Sequence, residues 1–540
     1  MTERIQKLRQ QSLDAVPRLD VERARLLTEF YRREQSGTEP IPVLRARAFR
    51  HLLEHKQICI LPGELIVGER GPAPKAVSTY PEICLHSLED LDLLAARPKV
   101  SFAVDETVRR AYAEEIIPYW RGKTMRERLM AEMTPEWLAA YEAGVFTEFQ
   151  EQRAPGHTAL GDKIYHRGFA ELIAEAERRR GELDLEGDAE ALERSEQLRG
   201  MAIAAGALIR FAERHAEELE RLAAVEADAP RRAELLEQAA ICRRVPAQAP
   251  RTFHEALQAY WFVHLGVITE LNPWDSFNPG RLDLNLRPFY QRGLADGTLT
   301  RERAKELLMA FWIKFNNHPS PPKIGVTARE SGTYTDFSLI NVGGVDRDGH
   351  DASSDLSHLI LEVIEEMRLL QPSSMVQISK KTPDALVKRA LRIVRTGFGQ
   401  PSLFNTEAIV GELLRQGKRV EDAREGGASG CVETGAFGRE CYILSGYFNL
   451  PKILEITLND GLDPRTGKRI GVKTGDPAGF SSFTDLLAAF ETQLRHFSDI
   501  KIRGNNVIGD LYARYLPVPF LSLLIDDCLA SGRDYNAGGA

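Results

Sequence analysis

In residues 1–56, charged side chains alternate with apolar ones at three- and four-residue spacing, which predicts helices. Pro62 and Gly63 then mark a turn into a short apolar run at 64–68, read as a buried strand. Helical periodicity returns over 86–150, and residues 153–158 form a loop. Amphipathic helices rich in Ala, Leu, Glu and Arg fill 169–244, most clearly over 201–226. A coiled-coil module is the alternative there, but clean heptads are lacking. Pro246 and Pro250 break the pattern. Thr252 and Glu255 then have the spacing of a capping box for a helix running to about Ile268. A turn-rich loop occupies 270–281, and Thr300 caps a helix ending near Asn317. Beyond it, strands at 338–342, 375–379 and 402–404 alternate with helices at 356–370 and 384–397. The apolar run 520–525 has the look of a further barrel strand. Such alternation predicts an α/β fold, either a barrel or a doubly wound sheet.

Composition narrows this picture. The chain has 540 residues, 43% of them hydrophobic and 27% charged, and a formal net charge of −8. It is long enough for several domains or for one large barrel with helical decoration. The acidic balance argues against a nucleic-acid binder. Residues 1–20 are charged throughout, and no apolar run suits a membrane span, so a cytoplasmic protein without a membrane partner is expected. Six cysteines are scattered with no CxxC, which gives no metal site its usual spacing. Asp346-Arg347-Asp348-Gly349 fails the spacing of a twelve-residue calcium loop and reads as a polar turn. His254-Glu255 is not a zinc-protease motif, because position 258 is Gln.

Candidate chemistry concentrates at 426–435, where four glycines surround Cys431 and an acid, Glu433, follows two residues later. In an extended segment, residues at i and i+2 point the same way, so the loop would present a sulfur and a carboxylate together. The flanking apolar residues at 442–444 and 450–458 place the tip between buried elements. The alternative is a plain buried thiol, the usual fate of an unpaired cysteine.

The stretch GASGCVETGAFGRECYILSGYFNLPKILEITLNDG at 427–461 resembles the cysteine loop of glycyl radical enzymes, and within them the hydroxyproline dehydratases. Pro74 to Val77, Tyr80 to Glu82, and Pro279-Gly280-Arg281 match further segments, so the resemblance covers nearly the whole chain. It implies one pyruvate formate-lyase-like domain over 1–540, with the cysteine loop at 426–438 threaded inside a barrel. That barrel would have about ten helix-surrounded strands in two half-barrels. It also implies that the chain stops short of the C-terminal domain carrying the radical glycine. No other cofactor is expected. A chain of this extent would be inactive and poorly stable alone, whether a truncated product, half of a split enzyme or a chain complemented by another protein.

What the resemblance implies for chemistry is specific. A radical S-adenosylmethionine activating enzyme would generate the glycyl radical, which converts Cys431 to a thiyl. Sulfur suits this role because an S–H bond is comparable in strength to an activated C–H bond. Catalytic roles fall on Cys431, Glu433, Asp275 and His157, and substrate-binding roles on Ser331, Phe337 and Tyr447. Phe337 and Tyr447 read equally well as core aromatics. The implied reaction is dehydration of trans-4-hydroxy-L-proline to pyrroline-5-carboxylate by a cytoplasmic homodimer in anaerobic metabolism. Arylacetate decarboxylases share the Gly-Cys-Val-Glu-Thr-Gly form and are the alternative enzyme. A catalytically silent binding subunit is the alternative outside catalysis.

Overall fold

Four short strands run parallel in one sheet: β3 (Gly280–Arg281), β4 (Leu339–Gly343), β5 (Ser373–Ile378) and β6 (Ser402–Asn405). They neighbour one another in sequence order, with Asn341 opposite both Arg281 and Met375, and Val376 opposite Leu403. Parallel neighbours need a crossover, and helices supply it. Leu282–Asp296 and Arg301–Asn316 separate β3 from β4, Asp355–Met367 separates β4 from β5, and Asp384–Val394 separates β5 from β6. Strand β4 is buried along its whole length, as befits a parallel strand covered on both faces. A second parallel pair joins β1 (Arg18–Asp20) to β2 (Ala76–Ser78), and an antiparallel hairpin joins β7 (Gly427–Ser429) to β8 (Glu433–Gly435). This computed structural model describes residues 1–34, 37–155, 158–273, 277–330 and 336–539. The α/β architecture, with parallel strands among helices, is the one expected, and this sheet holds four strands among the described residues, its edge strand β6 largely exposed.

The helices pack through apolar stripes. Asp384–Val394 buries Leu386, Ala390 and Ile393 on one side, at the spacing of one helical face. The long helix Ala191–Val225 contains the stretch read as most clearly helical, and packs on Ile41–His55, Ala229–Arg244 and Phe169–Gly181. Phe253–Glu270 is buried on every side, with Glu255 its exception, and its near-continuous apolar sequence follows. Thr252 caps this helix as expected, its hydroxyl accepting from the Glu255 N–H. The capping box does not close, because the Glu255 carboxylate accepts from the N–H of Arg251 instead.

Two expected strands are absent. Residues 64–68 are irregular, because the N–H and C=O of Val67 pair with the side-chain amide of Gln258 at 2.9 and 3.0 Å, not with a strand. Pro519–Leu524 is a helix. Its first free amides, on Phe520 and Leu521, donate to the buried Glu270 carboxylate at 2.8 and 2.9 Å. A short helix buried all round carries the same uninterrupted apolar run as a buried strand, so periodicity does not separate them.

Candidate active site: a cysteine at a hairpin tip

The hairpin pairs Gly427 with Gly435, Ala428 with Thr434, and Ser429 with Glu433. Three residues, Gly430 to Val432, close it, and Gly430 takes the left-handed φ of +55° that favours glycine there. Cys431 sits at the tip and is exposed, as is Val432 at 65%. This overturns the reading of a buried structural thiol. Cys84, Cys242 and Cys528 fit that reading instead, and Cys59 and Cys441 are half-buried. Burial pushes the thiols of Cys59, Cys84 and Cys441 up to about 12, and those of Cys242 and Cys528 up as well.

The Cys431 backbone and the Glu433 carboxylate are brought together by a different device from the one expected. Residues 430–432 form a turn, not an extended segment. The Glu433 carboxylate folds back over it, accepting from the N–H of Cys431 at 3.0 Å and of Val432 at 2.9 Å. A carboxylate gripped by two backbone donors is held in place with little rotational freedom. The apolar residues beyond the hairpin are also split, contrary to expectation. Tyr442, Ile453 and Ile456 are buried, whereas Ile443, Leu450, Leu454 and Leu458 are exposed. Leu450 and Leu454 lie one turn apart on the exposed side of the amphipathic helix Leu450–Thr457.

Side chains from the four-stranded sheet hold β7. Asn341, in β4, accepts from the Ala428 N–H at 3.1 Å and donates to the Ala428 carbonyl at 2.8 Å. Gln377, in β5, donates to the Gly426 carbonyl at 3.1 Å and to Asn341 Oδ1 at 3.3 Å. Asn278, just before β3, donates to Ser429 Oγ at 2.9 Å. Asn278 is also a junction. Its backbone N–H donates to the Thr158 carbonyl, its carbonyl accepts from the Leu160 N–H, and its Oδ1 accepts from the Leu339 N–H. Thr158, Leu160 and Leu339 therefore meet the cysteine hairpin at one buried asparagine. His157, Asp275 and Ser331 lie outside the described residues. Tyr535 makes a second tie. Its hydroxyl accepts from Thr158 Oγ1 at 2.9 Å and from the Tyr442 N–H at 2.6 Å.

Phe337 is half-buried and adopts φ +56°, the left-handed region, which is strained for a phenylalanine. Its neighbour Asp336 is fixed by a buried ion pair with Arg70, whose other terminal nitrogen donates to the Pro319 carbonyl at 2.8 Å. Tyr447 is no core aromatic: it is 64% exposed and packs edge-on against Phe149, with centroids 4.9 Å apart. Its N–H donates to Thr147 Oγ1, and its carbonyl accepts from the Thr147 N–H.

Asn278, Asn341, Gln377 and Tyr535 were not found by sequence reasoning. Asn278 and Tyr535 read as ordinary loop residues, and a polar position inside an apolar strand is the one signal that could have pointed to Asn341 and Gln377. Asp346 forms the polar turn expected of it, its Oδ1 accepting from the N–H of Asp348 and of His350. No helix among the described residues is long and apolar enough to cross a membrane.

Comparison with known proteins extends this geometry. The chain is 52% identical over 538 residues to trans-4-hydroxy-L-proline dehydratase of Clostridioides difficile, covering 100% of this chain and 68% of that protein. The crystal structure of hydroxyproline dehydratase from the same organism with trans-4-hydroxy-L-proline bound superposes with a TM-score of 0.98, again over 100% of this chain and 68% of that one. A glycyl radical enzyme from Archaeoglobus fulgidus, 34% identical, gives a TM-score of 0.92 over 100% of this chain and 69% of its own. The profile of pyruvate formate lyase-like proteins matches residues 1–540, and the chain belongs to that family.

Proposed function

We propose that this protein dehydrates trans-4-hydroxy-L-proline to pyrroline-5-carboxylate by radical chemistry at Cys431. The observation that carries the reading is a cysteine exposed at a braced hairpin tip, in a chain 52% identical throughout to a hydroxyproline dehydratase. An exposed cysteine with an acid locked onto its backbone N–H fits hydrogen-atom exchange with a bound substrate. A glycyl radical, generated in this family by a radical S-adenosylmethionine enzyme, supplies the unpaired electron.

The chain's own residues do the rest. The Cys431 sulfur takes one hydrogen atom from C5 of the ring, next to nitrogen. Glu433 accepts a proton from the ring amine, which raises electron density at C5. The C4 hydroxyl then leaves as water, held and protonated by Asp275 and His157. Cys431 returns its hydrogen atom to C4, and the net change is loss of one water. Ser331 binds the substrate carboxylate, and Phe337 and Tyr447 wall the ring.

The test is an anaerobic assay of the full gene product with its activating enzyme. Hydroxyproline should be consumed and pyrroline-5-carboxylate formed, with no turnover by Cys431→Ser, because an O–H bond is too strong to exchange hydrogen with carbon. Release of carbon dioxide from an arylacetate, with hydroxyproline untouched, would overturn the assignment.

A further inference from the structure

We propose that Asn278, Asn341 and Gln377 form an amide clamp that sets the position of the Cys431 sulfur, making them positioning residues for the reaction proposed above, on which this inference rests. The three side chains are 0%, 0% and 1% exposed and come from three adjacent strands or their approach. They engage β7 and the residue before it at successive points: Gln377 at Gly426, Asn341 at Ala428 and Asn278 at Ser429.

Asn341 behaves as a piece of neighbouring strand. It gives Ala428 both a donor and an acceptor, which only a primary amide side chain can do in this geometry. Its orientation is fixed in turn, because Oδ1 also accepts from Gln377, so the amide cannot flip without losing all three of its bonds. The clamp and the loop are matched in shape. A Cβ on Gly427 would lie 2.2 Å from Asn341 Oδ1 and 2.6 Å from Gln377 Nε2, so the amides occupy the volume that any other residue would fill. The last bond of the clamp falls on Ser429, two residues before the sulfur. A hairpin fixed there has only its three-residue turn left to move, and Glu433 braces that turn from the other side.

The experiment uses the full gene product and three variants. Gln377→Met keeps the length of the side chain and removes its donors. Asn341→Asp keeps the acceptor for the Ala428 N–H and sets a carboxylate against the Ala428 carbonyl. Gln238→Met is the control, since Gln238 is an equally buried amide that serves the Glu64 carbonyl far from the hairpin in sequence. The rate of Cys431 alkylation by iodoacetamide, read by peptide mass spectrometry, requires no substrate and reports the loop directly. It should shift severalfold in Gln377→Met and Asn341→Asp, and remain at the wild-type value in Gln238→Met. In turnover, kcat should fall by about 10²-fold with KM nearly unchanged, the expected cost of misplacing a reacting atom by roughly an ångström. At a pH low enough to protonate the carboxylate introduced by Asn341→Asp, the variant's alkylation rate should move part of the way back toward that of wild type measured at the same pH. Wild-type alkylation in both clamp variants, or an equal shift in Gln238→Met, would overturn the clamp. A shift in alkylation when the wild type does not dehydrate hydroxyproline would uphold the clamp and reject the substrate.

Discussion

The hairpin and the helical slab behind it are held by opposite kinds of force. Ala191–Val225 and Phe253–Glu270 meet through apolar side chains, with Leu208 and Phe520 closing over Gly266. Such contacts are non-directional and add up with area. The hairpin buries little around its tip. It is held by directed bonds from Asn278, Asn341, Gln377 and Glu433. Burial of area stabilises a fold but tolerates sub-ångström drift, whereas a bidentate amide fixes a backbone position and contributes little net stability. A site that must bring one sulfur to one carbon needs the second kind of support.

Two substitutions separate these roles, and the larger effect belongs to the hairpin. Glu433→Gln keeps an oxygen able to accept from Cys431 and Val432, so the turn should survive. The base is lost, and kcat should fall by about 10²–10⁴-fold, the range for removal of a general acid or base. Melting temperature should stay close to wild type. A variant with full activity would return Glu433 to a purely structural role. Leu208→Ala should do the reverse. Leu208 is fully buried, and Leu→Ala in a packed core costs about 2–5 kcal/mol, read by denaturant unfolding. Activity per folded molecule should be retained. If Leu208→Ala instead lowered kcat as Glu433→Gln does, the division between slab and hairpin would fail.

The same contrast explains what could be read from the sequence. Helices within 201–225 and at 253–270, 301–316, 355–367 and 384–394 announced themselves by period, two of them also by the caps Thr252 and Thr300, and strands β4, β5 and β6 by β-rich runs between turns. Local rules govern those elements. Residues 64–68 and 519–524 misled because their identity depends on a partner far away in sequence, Gln258 in one case and Glu270 in the other. Cys431 and Glu433 were legible from glycine spacing and resemblance, yet the turn that joins them was not, since a carboxylate bond to amides one and two residues back leaves no periodic trace. The clamp was the least visible part. Asn278 and Ser429 are 151 residues apart, and no local pattern links an asparagine before one strand to a serine in a distant hairpin.

Glu270 offers the gentlest probe, because it joins the two kinds of support. It lies in the slab, yet it works by directed bonds to the amides of Phe520 and Leu521. Burial raises its pKa from 4.5 to about 8, against the opposing pull of those donors. With the folded value above the unfolded one, the native state holds the extra proton between the two, so its contribution is fully present below about pH 4.5 and is lost as pH rises through about 8. Glu270→Gln carries no such titration. The difference in melting temperature between wild type and variant, followed from pH 5 to 8.5, should therefore move steadily in favour of Glu270→Gln as pH rises. A constant difference across that range would mean that Glu270 is ionised throughout and that its bonds to Phe520 and Leu521 outweigh its burial.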